Sequence, residues 1–144
     1  MVAGSRRKAR AYALQVLYAR DVEGNTDVAA ALTGWGESFE LDIDDSARAF
    51  ARDLVTATVA HQAELDEIIA ASSKNWRLDR MSRVDRNILR LATCELKHFV
   101  QTPVKVAINE AVELAKRFGA AESAAFVNGI LDRIAAALGR STEA

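Results

Sequence analysis

The sequence predicts an all-α protein, and three observations support that fold class. Aromatic residues make up 6% of the chain, alanine is abundant and Pro103 is the single proline, a composition that favours helices over strands. Apolar residues recur at helical spacing through most of the 144 residues. No stretch has the strict alternation of a half-buried strand, and no internal repeat is present. The length is that of one ordinary domain.

The first helix is predicted over residues 5–20, because Ser5 is a good N-cap and no Gly or Pro follows it there. One face can pack on a core: Ala9, Tyr12, Ala13, Val16 and Leu17. A second face mixes basic and apolar residues: Arg6, Arg7, Arg10, Leu14 and Tyr18. A solvated helix face does not require a Leu or a Tyr, and a core does not require arginines. The mixture therefore indicates a surface that contacts something anionic and partly flat, such as RNA.

Capping signals and apolar stripes predict the remaining helices. Asp44 or Asp45 can cap one helix, Ser82 begins a motif that resembles a capping box, and Pro103 suits the first position of another helix. The acidic segment at residues 33–45 is expected to be a loop. The helices are expected at about residues 27–32, 45–61, 62–72, 82–100, 103–118 and 123–138.

The formal net charge is −1, but the charges are segregated along the chain. Residues 21–47 include eight acidic residues and no Lys or Arg, whereas residues 5–10 include four basic residues. Residues 74–90 include six basic residues against two acidic ones. Because local phosphate contacts set nucleic-acid affinity, a near-neutral chain with basic clusters can bind RNA. Plain solvated faces are the alternative for such clusters.

The chain shows no sign of a membrane or secreted protein. No apolar run approaches the roughly 18 residues that a membrane span requires, and the basic N-terminus lacks the apolar core of a signal peptide. The single cysteine, Cys94, cannot form an internal disulfide, which agrees with a reducing compartment. We therefore expect a cytoplasmic protein without membrane contact, in which Cys94 is a packing residue.

Catalytic motifs are scarce. Glu95 and His98 have the Glu-x-x-His spacing of di-iron helical bundles, but such a site needs a second pair of this kind. The other histidine, His61, has Thr58 three residues before it. No Gly-rich phosphate loop, Ser-His-Asp set or Cys-His metal spacing is present. We expect no enzymatic activity, no cofactor and no metal ion, and we interpret Glu95 as a carboxylate at the core margin, bonded to a neighbouring helix end.

Three blocks in the second half are distinctive: DRNILRLATCEL at residues 85–96, PVKVAINEAVELAKRFG at 103–119 and ESAAFVNGILD at 122–132. Together with RRKAR and ALQVLYA in the first helix, they resemble the family of the transcription antitermination factor NusB. The similarity covers about residues 5–20 and 76–132, whereas residues 22–75 match only in helical pattern.

The resemblance implies a single domain of about seven helices, arranged as two small packed bundles at about residues 5–72 and 76–138. It also implies binding rather than catalysis. The ligand would be the boxA element of nascent single-stranded RNA, bound jointly with the small-subunit ribosomal protein that acts as NusE. Within the transcription elongation complex, such binding helps RNA polymerase to read through terminators, notably during ribosomal RNA synthesis.

Carried over by position, the resemblance assigns RNA and partner contacts to separate residues. RNA would contact Arg6, Arg7, Lys8, Arg10, Lys105, Glu122, Ser123 and Phe126. The ribosomal protein would face Tyr18, Asp85, Arg86 and Arg90. Ala125 stands where some members of the family carry a basic residue, so no phosphate contact is expected there.

Two other classes of function stay open on the sequence. A helical adaptor or obligate homodimer would use Leu14 and Tyr18 for protein contact alone. A metal-dependent enzyme would use Glu95 and His98. A salt titration of RNA binding separates the first of these from an RNA-binding protein, and metal analysis of the purified protein tests the second.

Overall fold

The computed structural model describes residues 5–24, 44–74 and 76–140, which form six α-helices and one 3-10 turn. In chain order these are α1 (Ser5–Glu23), α2 (Asp45–Ala60), α3 (Gln62–Ser72), the 3-10 turn (Leu78–Arg80), α4 (Arg83–His98), α5 (Val104–Phe118) and α6 (Ser123–Ala137). The all-α prediction is confirmed, and each α-helix corresponds to a predicted segment. The helix predicted at residues 27–32 and nearly all of the loop predicted at 33–45 lie outside the described residues.

The predicted caps are largely present. The carboxylate of Asp44 accepts a hydrogen bond from the backbone N–H of Ala47 at 2.7 Å and starts α2. The hydroxyl of Ser82 accepts one from the backbone N–H of Asp85 at 3.1 Å and starts α4. Pro103 is the residue before α5 rather than its first helical residue. The contacts of Asp44 and Ser82 satisfy backbone donors that the first turn of a helix leaves without partners.

Gly119 ends α5 for a reason that the sequence does not reveal. Its φ of −94° and ψ of −172° are extended, so the left-handed conformation expected of a glycine after a helix is not adopted. A Cβ at this position would lie 2.6 Å from Oγ of Ser123 and 2.8 Å from the carbonyl oxygen of Ala115. Glycine is therefore required because α6 begins so close to the end of α5.

Helix α4 lies at the centre of the fold and contacts every other described α-helix. Helix α1 packs on α2 and α4, and α5 packs on α6. The apolar core is continuous and includes fully buried residues from several helices, among them Leu54, Leu89 and Leu131. Each such leucine contributes about 1.5–3 kcal/mol through burial. The division into sub-bundles at about residues 5–72 and 76–138 stays a prediction.

No helix in the described ranges is long and apolar enough to cross a membrane.

Candidate nucleic-acid interface

The basic start of α1 presents two arginines to solvent, each held in place by a neighbour. Arg7 donates two hydrogen bonds to Glu110 on α5, at 3.1 Å from Nε and 2.8 Å from Nη2, although its side chain is 60% exposed. The guanidinium of Arg6 lies over the ring of Phe50, 4.2 Å from its centroid. Lys8 is also exposed. The contacts orient Arg6 and Arg7 and leave both side chains open to solvent, as binding to phosphate requires.

Arg10 is not a surface residue, which contradicts the exposure expected for it. It is 4% exposed and donates two hydrogen bonds to Glu95 of α4, at 2.6 and 2.8 Å. Nη1 of Arg10 also lies 3.9 Å from Glu110. The charges therefore alternate from the core outward, from Glu95 through Arg10 and Glu110 to Arg7. This row of alternating charges fixes the position of Arg7 at the surface.

Leu14 is likewise buried, at 2% exposure, so it cannot belong to a partner surface in this structure. The reason is that α1 packs on α2, α4 and α5 and is covered on more than one side. The middle of the face that the helical wheel places away from Ala9 and Ala13 is therefore covered, at Arg10 and Leu14. Tyr18, at 39% exposure, is the member of that face near the end of the helix that remains accessible.

A groove of about 590 Å³ opens beside these arginines. Its walls come from the start of α1, the loop before α5 and the first turns of α5: Arg6, Arg7, Arg10, Gln101, Thr102, Pro103, Val106 and Glu110. Basic and apolar side chains line the same space, and this combination suits a phosphate backbone with an unstacked base beside it. Lys105 is exposed on the first turn of α5, between two residues that line the groove.

The remaining predicted RNA residues lie at the start of α6. Phe126 is half-buried and makes an edge-to-face contact with Trp76, with ring centroids 5.7 Å apart. Trp76 is 56% exposed, and both rings line a second groove of about 450 Å³ that also contains Lys74 and Arg133. Glu122 is exposed.

Ser123 does not fit a direct contact with RNA. Its side chain is 1% exposed, and its hydroxyl accepts a hydrogen bond from the backbone N–H of Ala120 at 2.9 Å. The exposure expected for Ser123 is therefore wrong. The residue holds the turn between α5 and α6 and so positions Phe126.

The four predicted partner residues divide into accessible and buried ones. Tyr18 is exposed and Asp85 is half-buried, and Oδ1 of Asp85 has no hydrogen-bond partner within the described part of the chain. Arg90 is 7% exposed and donates two hydrogen bonds to Asp66 of α3, at 2.7 and 3.0 Å. Arg86 binds Asp21 of α1 at 2.7 and 3.2 Å. The exposure expected for Arg90 is wrong, because α3 covers this part of α4.

Asp21 joins α1 to α4. Its Oδ2 accepts hydrogen bonds from Arg86 and, at 2.9 Å, from Asn87, and Nη1 of Arg90 lies 3.7 Å away. Burial tends to raise the pKa of Asp21, but the hydrogen bonds from Arg86 and Asn87 and the nearby positive charges outweigh it, so the pKa is lowered. The ionised carboxylate therefore stabilises the folded state.

Asp21→Asn is expected to lower the free energy of unfolding at pH 7 by about 1–3 kcal/mol, because charged hydrogen bonds are lost. A carboxylate whose folded pKa is lowered stabilises above its unfolded pKa and ceases to do so as the pH falls through the folded value. The difference between wild type and variant should therefore shrink below about pH 4. Urea denaturation at several pH values measures this difference in the free energy of unfolding.

Asp79→Asn, in the exposed pair with Arg77, is the control and should change the free energy of unfolding little. An Asp21 difference that is equal at pH 7 and pH 3 would contradict this assignment.

The sequence model of the NusB family matches residues 7–136. This chain belongs to the NusB family. It is 50% identical over 138 residues to the transcription antitermination protein NusB of Myxococcus xanthus (strain DK1622), which covers 95% of this chain and 99% of that protein. It is 48% identical over 139 residues to the protein of the same name from Geotalea uraniireducens (strain Rf4), covering 93% and 96%.

Solved NusB structures share the fold. T. maritima NusB matches with a TM-score of 0.82 and 36% identity, over 94% of this chain and 93% of that one. A crystal structure of the antitermination factors NusB and NusE in complex with dsRNA contains a chain that matches with a TM-score of 0.82 and 30% identity, over 94% and 99%. These matches confirm the fold class that the sequence predicts.

Two contributors to the interface are missed by sequence reasoning. Glu110 and Glu113, with Lys116 and Arg117, form a charged set whose spacing indicates ordinary pairs on the surface of one helix, but Glu110 pairs instead with Arg7 and Arg10 across helices. Trp76 carries no signal beyond being an aromatic residue in a polar connection. Both depend on packing between distant segments, which periodicity does not encode.

The Glu-x-x-His motif of α4 does not form a site. Glu95 points to Arg10 in the interior, whereas Nε2 of His98 lies 2.9 Å from Glu64 of α3. Glu95 is bonded to another helix, as expected of a carboxylate at the core margin, but through the side chain of Arg10 rather than a helix end.

Proposed function

We propose that this chain is a transcription antitermination factor that binds boxA-type single-stranded RNA together with the ribosomal protein NusE. In the elongation complex it would help RNA polymerase to read through terminators, notably in ribosomal RNA synthesis. The proposal includes a cytoplasmic location and a role in binding rather than catalysis. The observation that carries it is the match, over nearly the whole chain, to NusB from a complex with NusE and dsRNA.

RNA phosphates would contact the start of α1. Arg6, Arg7 and Lys8 are the exposed basic residues there, and Lys105 extends the positive surface onto α5. Arg10 acts through Arg7, because its side chain is enclosed between Glu95 and Glu110. Arginine supplies both charge and paired hydrogen bonds to phosphate or to guanine edges.

Bases would stack on the aromatic pair at the start of α6. Phe126 supplies a partly accessible ring, and Trp76 extends this surface toward solvent. Stacking on an aromatic ring contributes about 1–3 kcal/mol per base and tolerates any sequence. Glu122 is exposed beside this pair and can accept hydrogen bonds from base amino groups. Ser123 positions Phe126 from below the surface.

The ribosomal protein would bind at the end of α1 and the start of α4. Tyr18 offers an accessible aromatic ring, and Asp85 offers a half-buried carboxyl group whose Oδ1 is enclosed. Arg86 and Arg90 hold these two helices together through Asp21 and therefore shape the surface from within.

Asp85→Lys is expected to weaken binding of the ribosomal protein at least tenfold, because one charge is reversed at the contact. RNA binding in the absence of that protein should be unchanged. Calorimetry with the ribosomal protein and fluorescence anisotropy with labelled RNA measure the two affinities separately. Glu67→Lys, an equal change of charge on the exposed side of α3, is the control. Equal weakening by both variants would exclude a specific role for Asp85.

A salt titration tests the proposal as a whole. If about four to six phosphates are engaged, the affinity for a short single-stranded RNA should fall with a log–log slope of about −3 to −4. The titration is run with and without the ribosomal protein. A slope near zero, with binding of the ribosomal protein retained, would support a protein adaptor or obligate homodimer instead.

A further inference from the structure

A cluster of metal-ligating side chains lies at the end of α4, where His98 faces α3. It consists of His61, between α2 and α3, Glu64 on the first turn of α3, and His98 at the end of α4. The potential ligand atoms of the three residues lie within 4.8 Å of one another. Nε2 of His98 lies 2.9 Å from Oε1 of Glu64, and the two imidazole rings stack with centroids 4.0 Å apart.

We propose that His61, Glu64 and His98 form a binding site for a divalent transition-metal ion of the Zn²⁺ class. Two imidazoles and one carboxylate are the protein ligands that such ions accept, with water in the remaining position. The three residues come from the junction of α2 with α3 and from the end of α4. A bound ion therefore fastens two parts of the chain that are distant in sequence. This inference is independent of RNA binding.

The geometry requires only local side-chain rotation. Ligand atoms bound at about 2.0–2.1 Å in a tetrahedral site lie roughly 3.3 Å apart, so the contact between His98 and Glu64 opens slightly and the stacked rings tilt until their nitrogens converge. The side chains of His98 and Glu64 are 26% and 41% exposed, which gives them room for these rotations. Lys97 is the competing cation, with Nζ 3.4 Å from Oε1 of Glu64.

The composition of the chain makes the site testable without ambiguity. His61 and His98 are its only histidines, and Cys94 is its only cysteine. Cys94 is fully buried, and burial raises the pKa of its thiol to about 11, so it does not provide a thiolate at neutral pH. Any binding of Zn²⁺ that depends on imidazole must therefore use His61 or His98.

The test is calorimetric titration of the metal-free full-length chain with Zn²⁺, together with melting curves. One ion per chain is expected, and at a Zn²⁺ concentration one hundred times Kd the Tm should rise by about 5–10 °C. His98→Ala and Glu64→Gln should each weaken binding at least tenfold, since even substitutions outside the ligand shell cost about 10- to 100-fold. Circular dichroism without metal confirms that the variants fold.

Two further variants sharpen the test. Glu67→Gln removes an exposed carboxylate one turn away on α3 and should leave Zn²⁺ affinity unchanged. Lys97→Ala removes the cation that competes for Glu64 and should tighten binding. The proposal is overturned if the wild-type chain shows no saturable binding, or if His98→Ala binds Zn²⁺ as tightly as wild type.

Discussion

Arg10→Ala is expected to lower the free energy of unfolding by about 3–5 kcal/mol, the cost of removing one partner from a buried ion pair. Glu95 is 2% exposed and would keep its charge in the core without the two hydrogen bonds that Arg10 donates at 2.6 and 2.8 Å. For a chain of this size the Tm should fall by about 10 °C. Thermal and urea denaturation measure both quantities. RNA affinity should fall as well, because Glu110, which orients Arg7 through two hydrogen bonds, loses its contact with Arg10.

A double substitution separates the charge pair from the packing around it. Arg10→Met combined with Glu95→Leu removes both charges, and it should recover most of the lost stability, because apolar pairs of similar volume replace buried ion pairs at little cost. Arg7→Ala is the matched control, since it breaks an exposed pair of similar geometry and should cost no more than about 1 kcal/mol. Equal destabilisation by Arg7→Ala and Arg10→Ala would contradict the assigned burial.

The helices could be predicted because their signals are local. Asp44 and Ser82 cap α2 and α4 through their own side chains, and the apolar stripe of α1 from Ala9 to Leu17 is buried as its spacing indicates. A cap needs three or four consecutive residues, and a stripe needs one helix. Neither depends on where the remaining chain packs.

The buried arginines could not be predicted because their partners are distant in sequence. Arg10 meets Glu95 and Arg90 meets Asp66 only after α1 and α3 have packed on α4. A helical wheel places both arginines on a polar face, and it does not show that a neighbouring helix with a complementary carboxylate covers that face. The cluster of His61 with Glu64 and His98 escapes sequence reasoning for the same reason.

Combined Arg6→Ala and Arg7→Ala should weaken RNA binding about 14-fold at 0.15 M salt, if each arginine neutralises one phosphate of a single strand. The log–log salt slope should become less steep by about 1.4. The loss of stability should be small, because Arg6 contributes one exposed contact with Phe50 and Arg7 one exposed ion pair. Fluorescence anisotropy with a labelled single-stranded RNA, repeated across a salt series, measures the affinity and the slope.

The far end of α5 provides a closely matched control. Lys116 pairs with Glu113 at 3.6 Å, and Arg117 lies over the ring of Phe118 at 4.8 Å, so this pair also combines one ion pair with one aromatic contact. Replacing both with alanine changes the net charge equally, and RNA affinity should barely change if binding is confined to the groove beside α1. An equal loss in both double variants would mean that RNA responds to total charge rather than to this surface.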